Sequence, residues 1–470
     1  MKLSKMALAA AICAAMTGTA TAQGLRQPNS IRQTTFANDY YAQGDQPSPS
    51  DMQEPTPAAP MAMTAAAAGD VAACDTCAEE AEECLPCRLF PQDWCSGVKV
   101  YGFLNGGWFG NNHNPPSNYN GPVTFADRND GQINQFYSIV EKSIDTGGCG
   151  WDFGGRLDVL YGSDWIYNTE IGWETDQTGA LLSGWNNSPY YGIVTPQAYA
   201  EVGYNNLSVK VGRFYTIIGY EVVPATGNFF ATHAYTMQYG EPFSHTGALA
   251  TWKPNGSENW TFMGGLINGW DRFDGTTDRV GGIGGVIYTP DHGDYTITLT
   301  GTASSDPTFS DATVFTDRSM YSLVFSWNVT DNLTYVFQHD NGWQNNSIAG
   351  VGGAAAQDAE WYGINQYLFY TINDCWKAGL RAEWFRDDDG VRVAGIRPTN
   401  GGDTGNDVAT GTGFAGHFYE ISAGLNWTPH ANLVVRPEIR YDWYDGINAP
   451  YDDRTAASQW TYGLDAIVLW

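Results

Sequence analysis

Seven histidines are the first place to look for chemistry, and they are scattered: His113, His233, His245, His292, His339, His417 and His430. None belongs to an HExxH or GxSxG arrangement, and GGIGGV at 281–286 lacks the following helix that a phosphate-cradling glycine loop opens. His245 stands beside Ser244 in SHTG, but adjacent residues of a strand point to opposite faces, so the two are not placed as base and nucleophile. No enzyme activity, resident cofactor or metal site is expected. The cysteines offer more: Cys74-x-x-Cys77 and Cys84-x-x-Cys87 form two CxxC pairs, but only six residues separate them, where a zinc knuckle usually has about 15 to 20. In an oxidising exported setting these four are disulfide candidates, with metal binding and redox or intermolecular linkage as the alternatives.

The most regular spacing belongs to ionic residues. In LVVRPEIRYDW, Arg436, Glu438, Arg440 and Asp442 occupy every second position, against Leu433, Val435, Pro437, Ile439, Tyr441 and Trp443. Arg156 and Asp158 alternate with Phe153, Leu157, Val159 and Tyr161, and Arg381 and Glu383 alternate with Leu380 and Trp384. With Glu201 and Lys210 these form one ionic face, and opposite charges facing each other across water would set up a transverse field that favours polar solutes. Mutual salt-bridging that only stiffens the wall is the other reading. Asp387, Asp388 and Asp389 in a loop would enrich cations at a mouth and give a mild cation preference, with Ca²⁺ binding a lesser alternative.

A period of two needs strands to hold it. DYTITLTGTAS reads the same way, with Tyr295, Ile297 and Leu299 against Thr296, Thr298, Thr300 and Thr302. Sixteen candidate strands follow, near 97–109, 132–143, 151–162, 196–204, 207–214, 246–253, 259–267, 279–289, 293–303, 319–329, 332–340, 360–372, 375–385, 416–427, 432–443 and 459–470. Short connections (DTGGCG, Asn205-Asn206, TPDHG, Asn373-Asp374, TPHA) alternate strictly with long ones, which a soluble sandwich has no reason to produce. Trp and Tyr sit at the ends of the apolar faces, as in Trp151/Tyr161 and Trp376/Trp384, where an interfacial girdle would lie. The fold class expected is therefore all-β: an antiparallel transmembrane β-barrel of about 16 strands, with short periplasmic turns and long outer loops; fourteen or eighteen strands stay open.

Composition agrees. Only 16% of residues are charged where about 25% is usual. The 23 Lys+Arg against 51 Asp+Glu leave too little positive charge for nucleic acid. The N-terminus has Lys2 and Lys5, then MALAAAICAAMTGTATA, the pattern of a signal peptide (1–22) cleaved after Ala22. Ile12 is too bulky before Cys13 for the usual lipid-attachment signal. Residues 23–70 read as a Pro/Ala-rich disordered linker, 71–96 as a Cys-rich periplasmic segment and 97–470 as the barrel. The final strand, with Tyr462, Leu464, Ala466 and Val468 alternating toward Trp470, is similar to the signal that barrel-assembly machinery recognises.

Residues 207–252 carry Gly212-Arg213-Phe214, Gly219-Tyr220-Glu221, Asn228-Phe229-Phe230 and Pro242-Phe243-Ser244-His245-Thr246-Gly247. With QINQFYSIVEKSID, DFGGRLDVLYGSDW and TPQAYAEV, they resemble the putative beta-barrel porin-2 (OmpL-like) family, and the resemblance extends over 97–470. It implies an outer-membrane porin that passes small hydrophilic solutes or ions, without a settled substrate. By likeness to sixteen-stranded porins, the third outer loop, 215–245, folds into the lumen, making Tyr220, Glu221, His233, Tyr235 and Glu241 constriction candidates. An outer flap or a subunit latch is the alternative, and a homo-oligomer is anticipated. The aromatics Trp165, Tyr167, Trp173, Trp185, Tyr190 and Tyr191 leave open a saccharide-specific channel, and an adhesin or structural barrel is a third reading.

Overall fold

A computed structural model of the chain describes residues 97–118, 120–123, 130–146, 150–176, 191–255, 257, 259–274, 279–311, 313–350, 355–393 and 414–470. The signal peptide, the linker and Cys74, Cys77, Cys84 and Cys87 lie outside the described residues.

Alternation gives strands, and with no apolar layer to cover them they close on themselves. The strands are β1 (Lys99–Asn111), β2 (Gly131–Lys142), β3 (Trp151–Gly162), β4 (Gly192–Val194), β5 (Ala198–Tyr204), β6 (Leu207–Tyr215), β7 (Ser244–Trp252), β8 (Trp260–Ile267) and β9 (Gly281–Tyr288). They continue with β10 (Tyr295–Pro307), β11 (Phe315–Thr330), β12 (Leu333–Ile348), β13 (Gln357–Asn373), β14 (Trp376–Asp387), β15 (Gly416–His430), β16 (Leu433–Gly446) and β17 (Ser458–Leu469). Each pairs antiparallel with its neighbour, and β4 and β5 both pair with β3 as two parts of one stave. The result is a closed barrel of sixteen staves.

The sequence places these strands well except at their long-loop ends. β11 and β12 each run 16 residues, because backbone pairing continues through Thr316–Arg318 and Asn341–Gln344, resuming at Ile348, beyond the stretch where apolar alternation is needed. The hydrocarbon layer imposes alternation only across its own thickness.

Polarity is inverted relative to a soluble protein. Leu157, Phe153 and Leu380 are exposed on the outer wall, whereas Asp158, Arg381 and Asp442 are buried inside. Rings meet across strand pairs near both rims of the outer wall: Trp151–Tyr204 and Trp260–Tyr288 at 4.6 Å near the short turns, Tyr419–Trp443 at 5.0 Å and Tyr441–Trp460 at 4.6 Å near the long loops. Trp151 and Tyr161 bracket about 33 Å of strand, or roughly 25 Å of height once tilted, the apolar band of a membrane barrel.

Closure is made by β1 and β17, in register from Phe103↔Leu469 to Asn111↔Thr461. The Trp470 N–H donates to the Gly102 carbonyl at 3.0 Å, and the Trp470 ring lies 5.2 Å from Phe136. A Cβ at Gly102 would stand 2.1 Å from the Tyr137 carbonyl oxygen and 2.7 Å from the Trp470 ring, so only glycine fits this seam. Gly102→Val is expected to lower the yield of barrel that migrates as the compact form on unheated gels, with Val100→Ala, on the same strand, near wild type.

Candidate pore constriction

The segment between β6 and β7 does not rise above the barrel. Phe229, Phe230 and Tyr220 are buried against Tyr367 and Phe369 of β13, Val324 of β11 and Val336 of β12, with Phe229–Phe369 at 4.9 Å and Tyr220–Tyr367 at 4.8 Å. These wall residues face inward, so the apolar part of the segment is covered by the lumen wall. A surface loop with the same rings would leave them in water.

Polar groups then fix its course. Arg436 of β16 donates to the carbonyls of Ala225 (2.9 Å) and Asn228 (2.8 Å) while paired to Asp465. Glu438 accepts from the N–H groups of Ala231 (2.8 Å) and Thr232 (3.1 Å). Arg381 of β14 donates to the Thr232 carbonyl at 2.8 Å and to Glu221 at 2.7 Å, with Glu420 at 2.5 Å on its other side. Arg440 donates to the His233 carbonyl at 2.5 Å and pairs with Asp442, which accepts from the Tyr235 hydroxyl at 2.7 Å. Glu383 accepts the N–H groups of Tyr235 and Thr236, both at 2.6 Å, at the start of a single π-helical turn, Thr236–Gly240. A carboxylate there answers backbone donors that have no partner within the turn.

Of the constriction candidates, Tyr220, Glu221, His233, Tyr235 and Glu241 are all buried within the barrel. Of these, Glu221 engages His233 directly: it is bonded to His233 Nδ1 at 2.7 Å, the Ala234 N–H at 3.0 Å, the Tyr367 hydroxyl at 3.1 Å and Arg381. Glu241 stands apart, accepting from Gln338 at 2.6 Å. Of the ionic row, Arg381, Glu383, Arg436, Glu438, Arg440 and Asp442 face inward but grip the segment and one another. Arg156 and Asp158 form a separate pair at 2.7 Å with Tyr137 and Gln197. Glu201 and Lys210 are opposite each other on β5 and β6 and partly exposed, with Lys210 over the Tyr199 ring at 4.9 Å.

Burial opposes charge on Glu221, but Arg381 and His233 hold its carboxyl down to about 2. Burial also lowers His233, and it raises Glu241, which Asp340 raises further. A carboxyl depressed on folding contributes stability above its unfolded value and loses it as pH falls through its folded value. Glu221 thus supports docking fully above pH 4.5 and gives up that support between there and pH 2. Neutral His233 adds to the loss below its ordinary 6.5. Glu241 works the other way, but its penalty has vanished once pH is below 4.5. Lowering pH from 4.5 to 2 is therefore expected to raise and destabilise unit conductance, an effect much smaller in Glu221→Gln.

Other residues that the sequence singled out have partners it did not show. Asp387 is not a free loop acid: it accepts the N–H groups of Val391, Arg392 and Val393 at 3.0, 2.7 and 2.7 Å. Asp388 pairs with Arg386, and Asp389 accepts from the Glu360 N–H. Among the described residues no cluster of three or more metal-ligating side chains is found. Ser244 donates to Glu170 at 2.7 Å while the His245 ring nitrogens face the Gly269 carbonyl and the Thr216 hydroxyl, so the two engage separate partners. Trp165 and Tyr167 are buried rather than displayed, with Tyr167 edge-on to Phe243 at 5.1 Å, and Trp173 lies edge-on to Phe273 at 4.4 Å. Trp185 and Tyr190 lie outside the described residues. Cys375, in the turn between β13 and β14, is disulfide-bonded, which the spacing of the N-terminal cysteines gave no reason to expect.

Solved structures are similar to the chain at low identity. The outer membrane channel DcaP of Acinetobacter baumannii is 13% identical, with 80% of this chain and 99% of that one covered and a TM-score of 0.48. The anion-selective porin from Comamonas acidovorans is 12% identical (79% and 99% covered, TM-score 0.49). OprB of Pseudomonas putida is 12% identical (80% and 94% covered, TM-score 0.50). No curated protein matches the chain. The family model described as putative beta-barrel porin-2, OmpL-like, matches residues 97–470, the whole of the barrel, so the chain belongs to that family and is an outer-membrane channel for small solutes.

Proposed function

We propose that small hydrophilic solutes and ions cross this channel by passive diffusion, along a path narrowed by segment 215–245. The observation that carries this reading is the clamp: Arg381, Glu383, Arg436, Glu438 and Arg440 each bond to the backbone of that segment. Backbone held at so many points by buried ionic groups is a fixed narrowing rather than a flap. The path then runs beside the segment, past partly exposed wall groups such as Glu201 and Lys210. On this reading the short turns face the periplasm, the signal peptide is removed after Ala22, and the 71–96 segment with its disulfide candidates stays periplasmic. The strand ending at Trp470 engages the assembly machinery, and the barrel works as a homo-oligomer. Planar-bilayer recording of purified protein tests the proposal. Stepwise, ohmic conductance is the expected result. Saturable block by sugars would point instead to a saccharide-specific channel, and absence of steps to an adhesin or structural barrel.

A further inference from the structure

Above the clamp lies a cavity of about 370 Å³ whose lining includes Glu241, Phe243, Trp270, Asp271, Arg318 and Arg392. Its two arginines are held by aromatic rings. The Arg318 guanidinium lies 5.3 Å from the Trp270 ring centre and 4.9 Å from that of Phe309. That of Arg392 lies 4.8 Å from Trp361, 5.1 Å from Trp270 and 5.7 Å from Phe309. Their hydrogen bonds go to neutral acceptors: Arg318 to Gln344 at 2.8 Å and the Pro307 carbonyl at 3.1 Å, Arg392 to the Tyr239 carbonyl at 2.5 Å. Among the described residues neither is ion-paired within 4.0 Å, unlike Arg156, Arg213, Arg381, Arg436 and Arg440.

The nearby acids are turned elsewhere. Asp271 accepts the N–H groups of Phe243 and Ser244 at 2.8 and 2.9 Å, Asp306 that of Trp270 at 3.0 Å, and Asp387 the three beyond it. Stacking leaves the edges of a guanidinium able to donate, and its fork matches an oxyanion. Phe243, Ile171 and Trp270 supply apolar wall beside it. We propose that this cavity is a subsite on the solute path that binds the carboxylate of a small organic anion between Arg318 and Arg392. The proposal rests on the channel reading above.

Charge states favour it. Burial raises Asp271 to about 7, against the pull of its two backbone donors, which weakens its negative charge near neutral pH. Glu241 is raised as well, by burial and by Asp340. Burial and the neighbouring Arg318 push Arg392 down to about 9, where it is still charged at neutral pH and gains from an incoming anion. The acidic outer loops predict cation preference at the mouth; this subsite predicts the reverse further in.

The test uses the full chain in planar bilayers. Under a KCl gradient the wild type is expected to reverse on the anion-selective side, and millimolar succinate is expected to reduce the chloride current saturably, with inorganic phosphate weaker. Arg318→Gln with Arg392→Gln should abolish the succinate block and lower the chloride-to-potassium permeability ratio by roughly three- to tenfold, whereas Arg392→Lys, which keeps the charge and loses the fork, should retain most of the permeability ratio and weaken the block. Should the double variant fail to fold, Arg392→Gln alone carries the comparison, since that residue lies in a loop. Conducting wild type with no succinate effect, or a block unchanged in the variants, overturns the subsite alone. Block by phosphate equal to that by succinate overturns its assignment to organic anions. Absence of wild-type steps overturns the channel reading and the subsite together.

Discussion

Unit conductance is expected to rise several-fold when residues 220–240 are removed and their ends rejoined through a short Gly/Ser link. The excised stretch takes with it Phe229, Phe230 and the π-helical turn, which fill the lumen against β11–β13. It also leaves Arg381, Glu383, Arg436, Glu438 and Arg440 facing water, where ionic side chains ease the passage of salt instead of bonding to backbone. The barrel should survive, because its closure rests on the seam of β1 with β17 and not on the lumen contents. Single-channel recording checks the prediction, and unchanged conductance in a folded variant would refute the constriction.

Arg381→Met should be the most damaging single change in the lumen. Its side chain is fully buried and joins Glu221, Glu420 and the Thr232 carbonyl, so removing it strands two buried carboxylates. Breaking such a group from one side typically costs about 3–5 kcal/mol, though a pair replaced as a unit can be nearly neutral. The variant should therefore unfold at a lower urea midpoint in lipid vesicles and show noisy, enlarged conductance. Adding Glu221→Gln and Glu420→Gln should recover a large part of the midpoint. Non-additivity of that kind is the mark of residues acting as one network.

The barrel was legible in the sequence because a lipid-facing wall must alternate, as Tyr295, Ile297 and Leu299 against their threonines do. Strand ends in β11 and β12 were not, because beyond the hydrocarbon both faces can be polar and pairing leaves no hydropathy trace. Inward placement of 215–245 followed from Phe229 and Phe230, which make no sense in water. Its partners could not be read. Arg436, Glu438, Arg440 and Asp442 announced an ionic face, and nothing in a period of two says whether that face meets solvent or a returning loop. The Arg318–Arg392 cavity was invisible for the same reason: Trp270, Arg318 and Arg392 come from three separate connections or strands, and only the closed barrel brings them together.

The chain distance between the segment and its holders has a kinetic consequence. Ala231 and Thr232 bond to Glu438 across 207 and 206 residues of sequence, and Tyr235 to Asp442 across 207. Ribosome and translocon deliver the loop long before β14–β17 exist, and contacts so remote along the chain are slow to form. Loop docking therefore waits for β14 and β16, so the lumen is filled late, close to the point where the last hairpins seal the wall.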